Sequence, residues 1–389
     1  MKQSSSLLKD NFNRRDWRPV FYDPRKNNFQ KEIADLKREN HGLVVIDRLR
    51  TQIEELFLLR NPKLRFAGNE ERQKGLKIFL AELPAVKAGV WVYFPWQNQL
   101  VTFLKEPLHQ ELRTARNVYL ISKKEQKKFY RARIGILGLS IGSQAALTLT
   151  MTGGAKYLKL ADPDEISGSN LNRIRSPFSD LGVNKAVAVA RQILGINPYS
   201  RFRVYPKGLT EQNLNEFLLK PKLDLLIEEM DNLYLKIKLR EKAREARIPV
   251  IMATDNGDNI IIDVERYDLN PHYSILHGRL GKLKADDLKN INPTELSKIT
   301  ARIAGAEIAT LRMIESVAEV GKTIYSWPQL GNAATLCGGV LTYVARKIIL
   351  GEKIKEGRID FNADRLFDSL AADDSIRRKK LLKKLFARK

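Results

Sequence analysis

The chain has 389 residues, more than one compact domain usually holds, so two units are expected. Its composition, 43% hydrophobic and 29% charged, is that of a globular protein; no apolar run near the ~18 residues of a membrane span and no leader-like apolar start are read in it, which points to the cytoplasm. A single cysteine, Cys337, excludes an intrachain disulfide framework and any zinc site of paired CxxC motifs, and a formal charge of +23 favours polyanionic partners: nucleic acid, nucleotides or an anionic membrane surface.

Residues 1–105 read as a small accessory α/β unit, with a strand over 42–46 and a helical pattern over 49–59. The stretch WVYFPWQNQLVTFL closes it, and the β-rich flanks around Pro95 and Asn98 predict a hairpin. From Arg131 onward strand-like and helical patterns alternate: RIGILG, a helix from Ile141, YLKLAD, a helix from Lys185, FRVYP, a helix near Gln212, LDLLIEE, a helix from Leu233, and PVIMAT. That alternation predicts a doubly wound, Rossmann-like α/β domain with a mainly parallel sheet over residues 106–360. Beyond Asp263 the pattern loosens into a polar stretch at 282–294 and two long helices over 296–320 and 330–350. Residues 361–389 form a basic tail whose Leu381, Leu382, Leu385 and Phe386 fall at helical spacing; it reads as a basic amphipathic helix for membranes or polyanions, or as a frayed solvated terminus.

The chemistry begins where RIGILG runs into Gly138, Ser140 and Gly142 and then a helix. Small residues there let a phosphate approach the unsatisfied amides of a helix N-terminus. The spacing is neither GxGxxG nor a Walker A loop. The next strand ends at Asp162, 24 residues after Gly138, where a carboxylate can accept hydrogen bonds from ribose hydroxyls; to this point an NAD-dependent oxidoreductase fits equally well. Then follow Asp164, SGSNLNR with Asn170 and Arg173, GVNK with Lys185, and EEMDN with Asp231. A dehydrogenase has no use for such a set, whereas attack on the α-phosphate of ATP builds charge on the leaving pyrophosphate that a guanidinium, an ammonium and a metal-holding carboxylate can stabilise.

This string resembles the ThiF-type family, which includes the ubiquitin-activating enzymes: a strand ending in D-x-D, then SNLNRQ, GxxK and a D-N pair. Upstream, Arg113 to Asn117, Gln126 and RARIGILG resemble the family's entry sequence, so the resemblance covers residues 113–265. GVWVYFPW, GLSIGS, SNLNR, IDVERYD and SWPQL further resemble a bacterial subgroup often fused to a nitroreductase-like domain. The resemblance implies an adenylyltransferase that uses ATP and Mg²⁺, with Asp162 on the ribose, Asn170, Arg173 and Lys185 on the phosphates, and Asp231 organising the metal. It also implies a homodimer in which Arg116 reaches the nucleotide of the other subunit. The substrate it implies is a protein or peptide with a free C-terminal carboxylate; the related tRNA threonylcarbamoyladenosine dehydratases, together with the +23 charge, keep tRNA as an alternative, and a nucleotide-sensing scaffold is a third reading. Ser140 stands where the family usually has glycine, Ile174 where it has glutamine. Cys337, in the small-residue helix GNAATLCGGVLTYV, reads as a core residue rather than the nucleophile of a thioester-forming member.

Overall fold

The computed structural model describes residues 17–154, 156–367 and 375–387. The chain divides into two compact units, residues 1–126 with 193–199, and residues 127–192 with 200–389.

In the first unit, β1 (Val20–Tyr22), α1 (Phe29–Glu39), β2 (Val44–Ile46), α2 (Leu49–Arg60), α3 (Asn69–Glu82), α4 (Ala85–Ala88), β3 (Gly89–Phe94), β4 (Gln99–Leu104) and α5 (Glu106–Arg113) build a four-stranded sheet in the order β1-β3-β4-β2. The predicted hairpin is β3–β4: a 3-10 turn at Pro95–Gln97 leads to Asn98, whose φ of 49° suits asparagine because its short polar side chain tolerates the left-handed region. Leu49, Ile53 and Leu56 of α2 recur at helical spacing and bury against Ala88 and Leu104.

The second unit is the doubly wound α/β domain that the alternation predicts. After α6 (Lys123–Arg131) come β5 (Arg133–Leu137), α7 (Ile141–Met151), β6 (Tyr157–Ala161), α8 (Lys185–Ile196), β7 (Arg201–Tyr205), α9 (Glu211–Leu219), β8 (Leu225–Glu228), α10 (Leu233–Glu245), β9 (Val250–Asn256) and β10 (Asn259–Glu265). They are followed by α11 (Pro293–Ala304), α12 (Leu311–Val317), α13 (Gly331–Leu350), β11 (Gly357–Phe361), α14 (Asp364–Phe367) and α15 (Ser375–Ala387). The sheet order is β11-β10-β9-β8-β5-β6-β7, parallel from β9 through β7 and antiparallel at the β10–β11 edge. Strands covered on both faces read as unbroken apolar runs, as Ile134, Ile136, Leu225, Leu226 and Ile227 do.

Three strands, β1, β10 and β11, go beyond the sequence reading. The single helix expected over 296–320 is broken: Gly305 (φ 84°) ends α11 in the left-handed conformation, and Thr310 restarts α12 by accepting the Met313 amide at 3.2 Å. The tail is not a frayed terminus over its described part. Leu381, Leu382, Leu385 and Phe386 of α15 are half-buried, and the helix packs on α12. Contrary to the hydropathy reading, α13 is long and apolar enough to cross a membrane by length and composition, but it is mostly buried against α7 and β9, so the core accounts for its apolarity. Cys337 lies there, fully buried, as expected.

Candidate active site

Nine of the predicted residues, Gly138, Ser140, Gly142, Asp162, Asp164, Asn170, Arg173, Lys185 and Asp231, belong to the second unit and sit at or beyond the C-terminal ends of β5, β6 and β8. Ligands collect at that end of an open parallel sheet. Arg116 is in the first unit, exposed on the 3-10 turn Ala115–Asn117.

β5 leaves the sheet through Gly138, whose φ is 76° and whose added Cβ would lie 2.3 Å from the Glu229 carbonyl oxygen. Only glycine fits both the dihedral and the contact. Gly142 brings α7 onto the sheet in the same way, since a Cβ there would lie 2.9 Å from Ile136. Ser140 occupies the N-cap of α7 without capping it through its side chain, and the first turn carries no acidic residue, so the positive end of the helix dipole is not compensated by its own sequence.

Asp162 stitches two loops together: Oδ2 accepts the Leu139 amide at 2.6 Å and Oδ1 the Asp164 amide at 2.8 Å. Burial pushes its carboxyl above the ordinary range, against these two amides and nearby Lys185. A carboxylate has about four lone-pair sites, so two remain for hydroxyl donors. The nearly buried Lys185 ammonium meets the exposed Asp164 carboxylate at 2.8 Å. Asn170 is buried and shapes the SNLNR turn, its Oδ1 accepting the Ser167 amide at 3.2 Å.

Arg173 crosses over the start of α7. Its Nε donates to Ser140 Oγ at 2.9 Å, and a terminal nitrogen donates to Asn172 Oδ1 at 2.9 Å and the Ser169 carbonyl at 3.2 Å. Burial pushes its pKa down, opposed at longer range by Asp255 and Asp231. A partly desolvated cation is thus held against the positive end of a helix, an arrangement that repels itself until an anion enters. Asp231 is exposed on the loop after β8 and has no hydrogen-bond or ion-pair partner among the described residues. Mg²⁺ keeps several waters and takes one or two carboxylates along with phosphate oxygens, so a lone accessible aspartate of this kind fits it.

Four further residues hold this arrangement and were not singled out from sequence. Gln144 donates to the Arg173 carbonyl. Gln329 donates to Asp255 Oδ2 at 2.9 Å while its carbonyl accepts Asn172 Nδ2 at 2.7 Å. Glu229 accepts the Ala253 amide at 2.8 Å, and burial raises its carboxyl well above normal. Asp255, also raised by burial, accepts from the Cys337 thiol at 3.5 Å. A carboxylate at the end of β9 was findable by the strand-end rule; the glutamines, meeting partners far along the chain, left no local signal. An open cleft of about 320 Å³ adjoins the SNLNR segment, lined by Gln144, Asn172, Arg173, Gly331 and Thr335 among others.

Beneath the site, the fully buried Arg240 binds Glu228 and, at 2.7 Å, Glu265, while Lys236 meets Glu228 at 2.8 Å. Glu228 also accepts the Met230 amide at 2.7 Å, which fixes the approach to Asp231.

The ThiF family model matches residues 113–361, from the helix end before Arg116 to the last strand of the sheet. The chain belongs to the ThiF family. Among its curated relatives, the Uncharacterized protein MT1398 of Mycobacterium tuberculosis is 33% identical over 343 residues, 87% of this chain and 46% of that protein. This ThiF-family chain therefore spans less than half of that relative's length. The tRNA threonylcarbamoyladenosine dehydratase of Bacillus subtilis is 27% identical over 183 residues, covering 45% of this chain and 70% of the relative. The sulfur carrier protein adenylyltransferase of Thermus thermophilus is 24% identical over 157 residues, 40% of this chain and 55% of the relative.

Proposed function

We propose that the chain activates a carboxyl group by adenylation. One carboxylate oxygen attacks the α-phosphorus of ATP, the bond to the bridging oxygen breaks, and pyrophosphate leaves an acyl-adenylate behind. The observation that carries this reading is the Arg173 guanidinium, partly desolvated and bonded to the N-cap Ser140 of α7. In this reading the α7 amides and Arg173 hold the phosphates, Lys185 turns from Asp164 to a phosphate oxygen, and Asp162 uses its remaining lone pairs for the ribose. Asn170 shapes the turn that delivers Arg173. Asp231 would hold Mg²⁺, which supplies charge neutralisation for the departing pyrophosphate. An NAD-dependent oxidoreductase would leave Arg173, Lys185 and Asp231 without a task.

The substrate we favour is the C-terminal carboxylate of a protein or peptide, supported by the similarity to a sulfur carrier protein adenylyltransferase. A carboxyl group on tRNA is the second reading, favoured by the similarity to a tRNA threonylcarbamoyladenosine dehydratase and by the formal charge of +23. Arg116 acts, in this proposal, on the nucleotide of a second copy in a homodimer, and mixing Arg116→Ala with Asp231→Ala protein should then restore part of the activity. The central test is ATP–pyrophosphate exchange with candidate carboxylates. Exchange that depends on Arg173 and Asp231 supports adenylation, whereas none with any candidate, while Mg-ATP binding is intact, refutes it.

A further inference from the structure

The sequence of α15, SIRRKKLLKKLFA, contains no acidic residue. One face is used by the fold itself: Leu381, Leu382, Leu385 and Phe386 are half-buried, Arg378 Nε donates to the Ala309 carbonyl at 2.7 Å, and Arg377 lies 3.6 Å from Glu315 of α12. The opposite face holds Lys379, Lys380, Lys383 and Lys384, all exposed, with no carboxylate partner among the described residues. Two pairs of them stand at i,i+4, where like charges repel and weaken a helix. At the centre of this face, three, four, seven and eight positions before the lysines, is Ile376, 83% exposed. A helix that merely needed solubility would have no reason to set an isoleucine inside a lysine cluster.

A second exposed apolar element is anchored through the same β9–β10 hairpin. Asn256 and Asn259 are opposite each other in the β9–β10 hairpin. Asn256 binds the Ile308 carbonyl at 3.0 Å and the Thr310 amide at 2.8 Å, fixing the segment on which α15 sits. Asn259 binds Asp364 at 2.8 Å, fixing α14, whose Leu366 and Phe367 are 71% and 87% exposed. Basic and large apolar side chains are therefore held at one end of the sheet. For a nucleic acid backbone, Leu366 and Ile376 have no use. For an anionic bilayer, lysines take the headgroup charge and aliphatic and aromatic groups enter the acyl boundary.

We propose that the outer face of α15, with Leu366 and Phe367, seats the protein on an anionic lipid surface. The inference goes beyond the adenylation reading and does not rest on it, since binding is measured without nucleotide. The experiment is flotation of the full chain with vesicles of phosphatidylcholine alone or with about 30% phosphatidylserine, at about 0.1 M salt. The native chain is expected to float with the anionic vesicles and not with the neutral ones. Replacing Lys379, Lys380, Lys383 and Lys384 together by glutamine should weaken binding several hundredfold, since each such lysine adds roughly a fivefold factor. Replacing Lys26, Lys31, Lys63 and Lys87 by glutamine makes the same change of net charge in the first unit and should leave most of the binding. Ile376→Ser and Phe367→Ser should each reduce vesicle binding about tenfold, with helical circular dichroism unchanged. The proposal fails if anionic vesicles are not bound, if the two quadruple variants lose binding equally, or if the face binds bulk tRNA through these lysines while serine at Ile376 and Phe367 changes nothing.

Discussion

Arg173→Met separates a binding role from a structural one. The substitution keeps an apolar stem and removes the guanidinium that donates to Ser140, Asn172 and the Ser169 carbonyl. Two of these three bonds are exposed and one is part-buried, so each is worth about 0.5 kcal/mol, and their loss is offset by removing a desolvated cation from a helix N-terminus, a repulsion of about 0.3–1 kcal/mol. The ligand-free variant should therefore unfold in urea within about 1 kcal/mol of the native chain. Losing a charged contact to phosphate should cost about 2 kcal/mol, roughly a thirtyfold weaker affinity for Mg-ATP. At a nucleotide concentration of about 100 native dissociation constants, ligand stabilisation should fall from about 2.7 to about 0.9 kcal/mol. Thermal and urea unfolding with and without Mg-ATP measure both quantities. A variant destabilised by more than about 2 kcal/mol without nucleotide, yet binding ATP as the native chain does, would refute the argument and make Arg173 a structural residue.

Two further outcomes are expected. Glu229 has a folded-state pKa raised by burial, so the stability it contributes is present at low pH and is lost as pH rises through that value. The urea midpoint should therefore fall as pH rises above the ordinary carboxylate range, and Glu229→Gln, which can still accept the Ala253 amide, should flatten this fall and be the more stable protein at the alkaline end. Flattening will be partial, because Asp162 and Asp255 are raised in the same sense. Cys337 is buried and its thiol is pushed far up by burial and by the Asp255 and Glu229 charges, so iodoacetamide should label it only after unfolding, and Cys337→Ser should keep pyrophosphate exchange; rapid labelling of the native chain would contradict this.

What the sequence made legible is what local pattern encodes. The β5-to-α7 turn was readable because Gly138 must take a positive φ beneath Glu229, and the β3–β4 hairpin because Asn98 can take one. The parallel core strands announced themselves as apolar runs. The β9–β10 hairpin also carried a signal, the Asn256-Gly257 pair, which apolar runs on both sides masked. The break at Gly305 was equally local, but a helical hydrophobic period continued across it. Gln144 and Gln329 were illegible for a different reason: each matters through a partner, 29 and 74 positions away. The docking of α15 on α12 depends on Ala309 and Glu315 in the same way.

The pairing of Lys185 with Asp164 bears on turnover as well as on binding. An ammonium this enclosed would be costly to leave bare, so a site without its own counter-ion would cling to whichever phosphate it held. In the proposed reaction the exposed Asp164 would be a placeholder, stepping aside for the incoming triphosphate and returning when pyrophosphate departs. The affinity surrendered on entry would be recovered as faster exit, as adenylation requires if its pyrophosphate product is not to block the site.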